Sequence, residues 1–158
     1  MQIEIPDKYF NKEELENTPK RIARFYKEWL EDSSKYTFTT FDAPKVKGMI
    51  VQETDFYLLC AHHLLPFFGK AYLGYIPQYG KICGTSKLAR LVDEIAHKPQ
   101  LQESLTEEVA DRLQELLSPK GVMVITKCEH LCMSMRGIKK PGHRLTYSAI
   151  RGSFEKDR

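Results

Sequence analysis

Residues 84–121, GTSKLARLVDEIAHKPQLQESLTEEVADRLQELLSPKG, decide how the chain is read. Leu88, Leu91, Val92 and Ile95 recur at the spacing of one helical face. Thr85 and Ser86 stand where a helix start is capped. Pro99 breaks the pattern, and a second stripe follows: Leu101, Leu105, Val109, Leu113 and Leu116. Pro119 and Gly121 end it. Two consecutive amphipathic helices need a further apolar surface to cover, and the segments on either side are rich in β-formers.

Upstream, Val46 to about Tyr57 and Phe68 to Ile76 are rich in β-formers and enclose the segment CAHHLLPF, which a strand pair would present at one end. Pro77 to Gly84 reads as a turn or loop. Downstream, Val122–Thr126 and Leu145–Ile150 are short apolar strands separated by Arg136–Gly142. Before all of these, Thr18 as N-cap and Pro19 in the first helical position open a helix to about Glu31, with Ile22, Phe25, Trp29 and Leu30 on one face. Asp32 to Pro44 reads as loop. The order is helix, β-β, α-α, β-β, an α+β fold with antiparallel strand pairs. The expected organisation is a single domain over residues 1–158, with 1–45 the N-terminal helix and loop and 46–158 the core.

The net charge of +3 and pI near 8.6 suit an anionic ligand but fall far short of a nucleic-acid or membrane-surface argument. No apolar run approaches the roughly 20 residues that span a bilayer. The first residues, MQIEIPDKYFNKEE, are acidic and interrupted by Pro6, unlike a secretory leader, so the expected compartment is the cytoplasm. There Cys60, Cys83, Cys128 and Cys132 read as metal ligands, reactive thiols or core residues rather than disulfides.

Cys60-Ala61-His62-His63 is the most informative segment. A strand end carrying Cys and His three apart can direct a thiolate and an imidazole at one ion, and zinc accepts both in a tetrahedral shell. Cys128-Glu129-His130-Leu131-Cys132 supplies candidates for a third ligand, and a catalytic site keeps the fourth position open for water. Cys83 reads as structural, and His97 and His143 as helix-end and loop histidines.

TPKRIARFY (18–26), CAHHLLPFFG (60–69), GTSKLAR (84–90), LQESLT (101–106) and HLCMSMRG (130–137) stand in the order and spacing of GTP cyclohydrolase I, and the chain resembles that family from Thr18 to about Asp157. The resemblance implies the T-fold, ββααββ, with two helices on one face of the antiparallel strand pairs and subunits that join their sheets into a barrel. It implies a zinc-dependent enzyme in which zinc-bound water attacks C8 of GTP, releasing formate and giving 7,8-dihydroneopterin triphosphate for folate, biopterin or 7-deazaguanine synthesis. Carried over by position, it implies that Cys60, His63 and Cys132 bind Zn2+ and that His62 and His130 transfer protons. Gln102 and Glu103 would recognise guanine. Ser86, Lys87, Arg90 and Arg136 would contact the triphosphate, and Arg21 and Arg24 would reach in from a neighbouring subunit. Cys128 lies outside the family pattern. The partners implied are GTP and further copies of the chain, a decamer with active sites at subunit interfaces, with no nucleic acid and no membrane.

These roles have chemical reasons. Zinc lowers the pKa of bound water to about 7, and histidine suits proton exchange near neutrality. On this reading His130 protonates N7 of the guanine, and His62, with Ser86, assists opening of the ribose ring. The Glu103 carboxylate accepts from N1-H and the 2-amino group, a donor pair adenine lacks. The start of the helix at Ser86-Lys87 favours phosphate, with Lys87, Arg90 and Arg136 adding charge. Ala61 departs from the family, which usually has glutamate there; a lost second layer around the metal would weaken its binding. The N-terminal helical region is shorter than in many members and the usual C-terminal tail is missing, which bears on barrel stacking and leaves the catalytic core intact.

Overall fold

The computed structural model describes residues 6–31 and 36–155. The first residues of the expected non-leader segment, the start of the Asp32–Pro44 loop and the end of the family match near Asp157 lie outside them. The chain divides into two compact units, Met1–Ser33 and Ser34–Arg158.

The first unit is α1 (Lys12–Leu30), preceded by a turn of 3-10 helix, Asp7–Tyr9. The helix starts earlier than Thr18. Asn11 caps it, accepting from the Glu14 N–H at 2.9 Å while the Glu14 carboxylate accepts from the Asn11 N–H at 2.8 Å. With two end donors satisfied there, the helix runs through Pro19, which has no N–H for the Leu15 carbonyl one turn back. Phe25 meets Tyr26 and Trp29 edge-on, with ring centroids 5.1 and 5.5 Å apart.

In the second unit, β2 (Ile50–Leu59) and β3 (Pro66–Ile76) form a long hairpin. The helices α2 (Thr85–Ala96) and α3 (Gln102–Leu117) follow, then β5 (Gly121–His130) and β6 (Leu145–Gly152). Between β3 and α2 the strand β4 (Lys81–Cys83) pairs antiparallel with β1 (Thr40–Asp42), so two segments expected as loop and turn contain a small second sheet. The main sheet is four-stranded and antiparallel in the order β2-β3-β5-β6. Its β3–β5 pairing closes across the two helices, the ββααββ order with both helices on one face.

Strand alternation builds the core. Phe56, Leu58, Leu73, Tyr75, Val122 and Val124 point inward against Leu88, Leu91, Val92, Leu105, Val109 and Leu113. In α3 the buried stripe ends on Leu117 rather than Leu116, and Leu101 lies at the cap, exposed. In α2 the cap is Gly84, with no side-chain cap bond from Thr85 or Ser86, because the helix already begins at Thr85. The hairpin strands reach closer to the CAHHLLPF turn than expected: β2 begins at Ile50 rather than Val46 but runs to Leu59, and β3 begins at Pro66. Likewise β5 extends past Thr126 through the polar residues to His130. Among the described residues no helix is long and apolar enough to cross a membrane.

Candidate metal centre and active site

The β2–β3 turn is held by its own backbone. The Cys60 N–H donates to the Leu65 carbonyl at 2.9 Å and the Leu64 N–H to the Cys60 carbonyl at 2.8 Å, with Leu64 at φ +53. The link between α2 and α3 is stitched to the same turn: the Gln100 N–H donates to the Leu59 carbonyl at 3.1 Å, and the Ala61 N–H donates to the Gln100 carbonyl at 3.3 Å. Cys60 is thus fixed on both sides and buried. Cys132 arrives from the other half of the chain on α4 (Leu131–Ser134), the single turn that follows β5.

The donor atoms of Cys60, His63 and Cys132 lie within 4.8 Å of one another. Cys60 Sγ is 3.8 Å from His63 Nδ1 and 4.0 Å from Cys132 Sγ. In a tetrahedral zinc shell, ordinary bond lengths put two sulfurs about 3.8 Å apart and a sulfur and a nitrogen about 3.6 Å apart. The residues therefore fit a zinc ion with one position left over. Burial first, and then the neighbouring Cys60, push the Cys132 thiol above its ordinary pKa. Two thiolates side by side are unfavourable without a cation, and a divalent metal supplies one.

His130 closes β5. Alternation along that strand puts it on the face of Thr126 and Cys128, toward α3. The β3–β5 register sets it opposite Phe67, and the two rings stack with centroids 4.3 Å apart and planes 11° apart. Its Nε2 is 2.9 Å from Gln102 Oε1. Burial lowers the His130 pKa, His143 adds to that, and Glu103 opposes it. A cavity of about 310 Å³ gathers Cys60, Cys132, His62, His130 and Glu103. Among the described residues no hydrogen bond or ion pair claims the half-buried Glu103 carboxylate.

The sequence-derived residues fall into groups. Gln102 is wholly buried, and its amide is committed to Thr126, Leu145 and His130 rather than open to a ligand. Of the two residues expected to read guanine, only Glu103 keeps an uncommitted side chain. Ser86, Lys87 and Arg90 occupy the first turns of α2 outside that cavity, with Lys87 Nζ 5.9 Å from the Tyr36 ring centroid. Arg136 is exposed, with Nη1 2.8 Å from His63 Nε2. Arg21 and Arg24 belong to the first unit, paired with Glu13 at 2.6 Å and Glu28 at 3.7 Å. Phe67 and Glu129 do not stand out in the sequence. Phe67 supports the His130 ring, and Glu129 holds the segment after β5. Strand alternation extended through Lys127-Cys128-Glu129-His130 is the signal that separates Glu129 from His130.

The antiparallel ββααββ sheet and a Cys/His/Cys centre beside paired histidines define a T-fold protein with a metal site. The fold is shared with a solved structure described as the archaeosine synthase QueF-Like in the apo form, with TM-score 0.55 and 16% identity over 66% of this chain and 94% of that one. The sequence profile of GTP cyclohydrolase I matches residues 2–158, and the chain belongs to that family. It is 47% identical over 151 residues to GTP cyclohydrolase 1 of Brevibacillus brevis, covering 93% of this chain and 81% of the relative. To the protein of that name from Lysinibacillus sphaericus it is 45% identical over 161 residues, covering 99% and 85%.

Proposed function

We propose that the chain is a zinc-dependent GTP cyclohydrolase I that opens the imidazole ring of GTP, releases formate and forms 7,8-dihydroneopterin triphosphate. The observation that carries this reading is one cavity wall holding two of the three metal-type ligands, Cys60 and Cys132, together with His62, His130 and Glu103. Bound at Cys60, His63 and Cys132, zinc supplies Lewis acidity, which makes water a nucleophile at neutral pH.

The chain's own groups do the rest. Glu103 accepts from guanine N1-H and the 2-amino group and leaves adenine badly matched. His130 delivers a proton to N7, drawing electrons from C8. Its half-buried, stacked ring is held in place for that transfer by Phe67. His62, exposed and with its ring centroid 6.1 Å from that of His63, is placed to exchange protons with water during ribose opening. Ser86, Lys87, Arg90 and Arg136 bind the triphosphate, and Arg21 and Arg24 approach from a neighbouring subunit. The working form is a homo-oligomer, a decamer with active sites at its interfaces, acting in the cytoplasm.

The test is incubation of zinc-loaded protein with GTP, following formate and the dihydropterin absorbance beside Cys132→Ala. Both products from the wild type alone support the reading. A metal-replete, assembled protein that binds GTP without releasing formate is instead a non-catalytic relative. Ala61 is the residue that favours this second reading.

A further inference from the structure

The hydrogen bonds around Gln102 admit one direction only. Thr106 Oγ1 lies 2.7 Å from the Gln102 carbonyl, which has no hydrogen to give, so the Thr106 hydroxyl proton goes there. At the 2.8 Å contact between Thr106 Oγ1 and Thr126 Oγ1, Thr126 must then be the donor. With its proton committed, Thr126 Oγ1 can only accept from the Gln102 amide, 2.9 Å away. The same amide nitrogen faces the Thr126 carbonyl at 3.1 Å and the Leu145 carbonyl at 3.2 Å. Turning the amide over would set its oxygen against two carbonyls and a hydroxyl with no free proton, inside a wholly buried site. Gln102 Oε1 therefore faces His130, and the 2.9 Å contact exists only if His130 Nε2 carries hydrogen.

We propose that Gln102 is a positioning residue that holds His130 in its Nε2-H form, so that Nδ1 is the nitrogen exchanging a proton with the substrate. Gln102 sits on the first turn of α3, and its amide joins β5 to the start of β6, so the ring orientation is set by three elements at once. The Phe67 stack fixes the plane of the ring, and Gln102 fixes which edge faces inward. This replaces a guanine-reading role for the Gln102 side chain, whose every polar atom is already bonded inside the protein.

The consequence for catalysis rests on the function proposed above; the hydrogen position does not. A neutron structure of the zinc-loaded protein near pH 8.5, about two units above the ordinary histidine pKa, locates that hydrogen directly. Deuterium on His130 Nε2, with Nδ1 bare, is the expected result. A bare Nε2 with deuterium on Nδ1 overturns the proposal, whether or not the protein turns over GTP. In turnover, Gln102→Met is expected to lower kcat about 10- to 100-fold, the cost typical of losing an outer hydrogen-bond partner, with KM for GTP little changed. A raised KM with unchanged kcat in Gln102→Met would mean direct guanine contact and would overturn the positioning role. If Gln102→Met does not fold, the wild-type neutron map still decides.

Discussion

Arg136 Nη1 lies 2.8 Å from His63 Nε2, a guanidinium facing a ring nitrogen. A guanidinium only donates, so Nε2 accepts, and the ring hydrogen sits on Nδ1, 3.8 Å from Cys60 Sγ. A metal bound beside the thiols needs the Nδ1 lone pair, which moves the hydrogen to Nε2 and sets two donors against each other. Zinc loading is therefore expected to release Arg136 for a polyphosphate. Arg136→Ala should bind zinc at least as tightly as wild type in competition with a chromophoric chelator. Its KM for GTP should rise about tenfold or more, as expected for a lost charge-assisted bond. Weaker zinc binding in this variant would show that Arg136 supports His63 rather than competing with the metal.

Glu129 gathers the segment that carries Cys132 and Arg136. Its carboxylate accepts from Ser134 Oγ at 2.8 Å, from the Gly142 N–H at 3.3 Å and from the Arg144 guanidinium. Ser134 first, then Arg144 and the Gly142 N–H, hold its pKa below the ordinary carboxylate value. A depressed folded pKa means that the stabilisation is full above the unfolded pKa, about 4.3. It is lost as pH falls through the folded value. The stability difference between wild type and Glu129→Gln in denaturant titrations should thus be largest near neutrality and shrink toward about pH 3. A difference that stays constant across that range would remove Glu129 ionisation from the account.

The α-α pair, the β-β pairs and the Cys60/His63 half of the candidate metal centre were legible because each rests on local pattern: helical stripes, β-rich runs, and Cys and His three apart; Cys132 was separated from its neighbours only by the family resemblance. What escaped depends on distant partners. LQESL reads as an ordinary first turn, and nothing within it says that Gln102 is buried against carbonyls contributed by Thr126 and Leu145. The β1 and β4 strands have three residues each, too few to show alternation. Helix starts are misread where capping residues occur in excess: Thr18 and Thr85 both suit a cap, but Asn11 and Gly84 hold those positions. His130 stands out by its chemistry, while its stacking on Phe67 follows from β3–β5 register that no local window contains.

Metal removal gives a separate check on the triad. A ligand that binds the folded state alone stabilises it in proportion to the logarithm of its concentration, about 2.7 kcal/mol at a hundredfold excess over Kd. The Tm of wild type should rise with free zinc in buffered titrations and fall on chelation. Cys132→Ala should lose most of that dependence while keeping its secondary structure, because Cys132 is only half-buried on the surface turn α4. An equal zinc response in both proteins would place the metal elsewhere.

Gly69 tests the strand pairing that seats His130. It pairs with Cys128 in the β3–β5 ladder, two residues from the Phe67–His130 pair. A Cβ at this position would lie 2.0 Å from the Lys127 carbonyl oxygen and 2.8 Å from Cys128 Cα, both backbone atoms that cannot swing aside. Gly69→Ala must therefore push the strands apart, at an expected cost of about 3 kcal/mol or more. Gly48 is the control, since a methyl group there would meet nothing within 4 Å. Gly48→Ala should stay within about 0.5 kcal/mol of wild type. Urea unfolding of the two variants measures both values. Where Gly69→Ala folds at all, its kcat should fall further than its stability requires, since the separation opens beside the His130 ring. A Gly69→Ala protein as stable and as active as wild type would mean that β3 and β5 do not meet in this register.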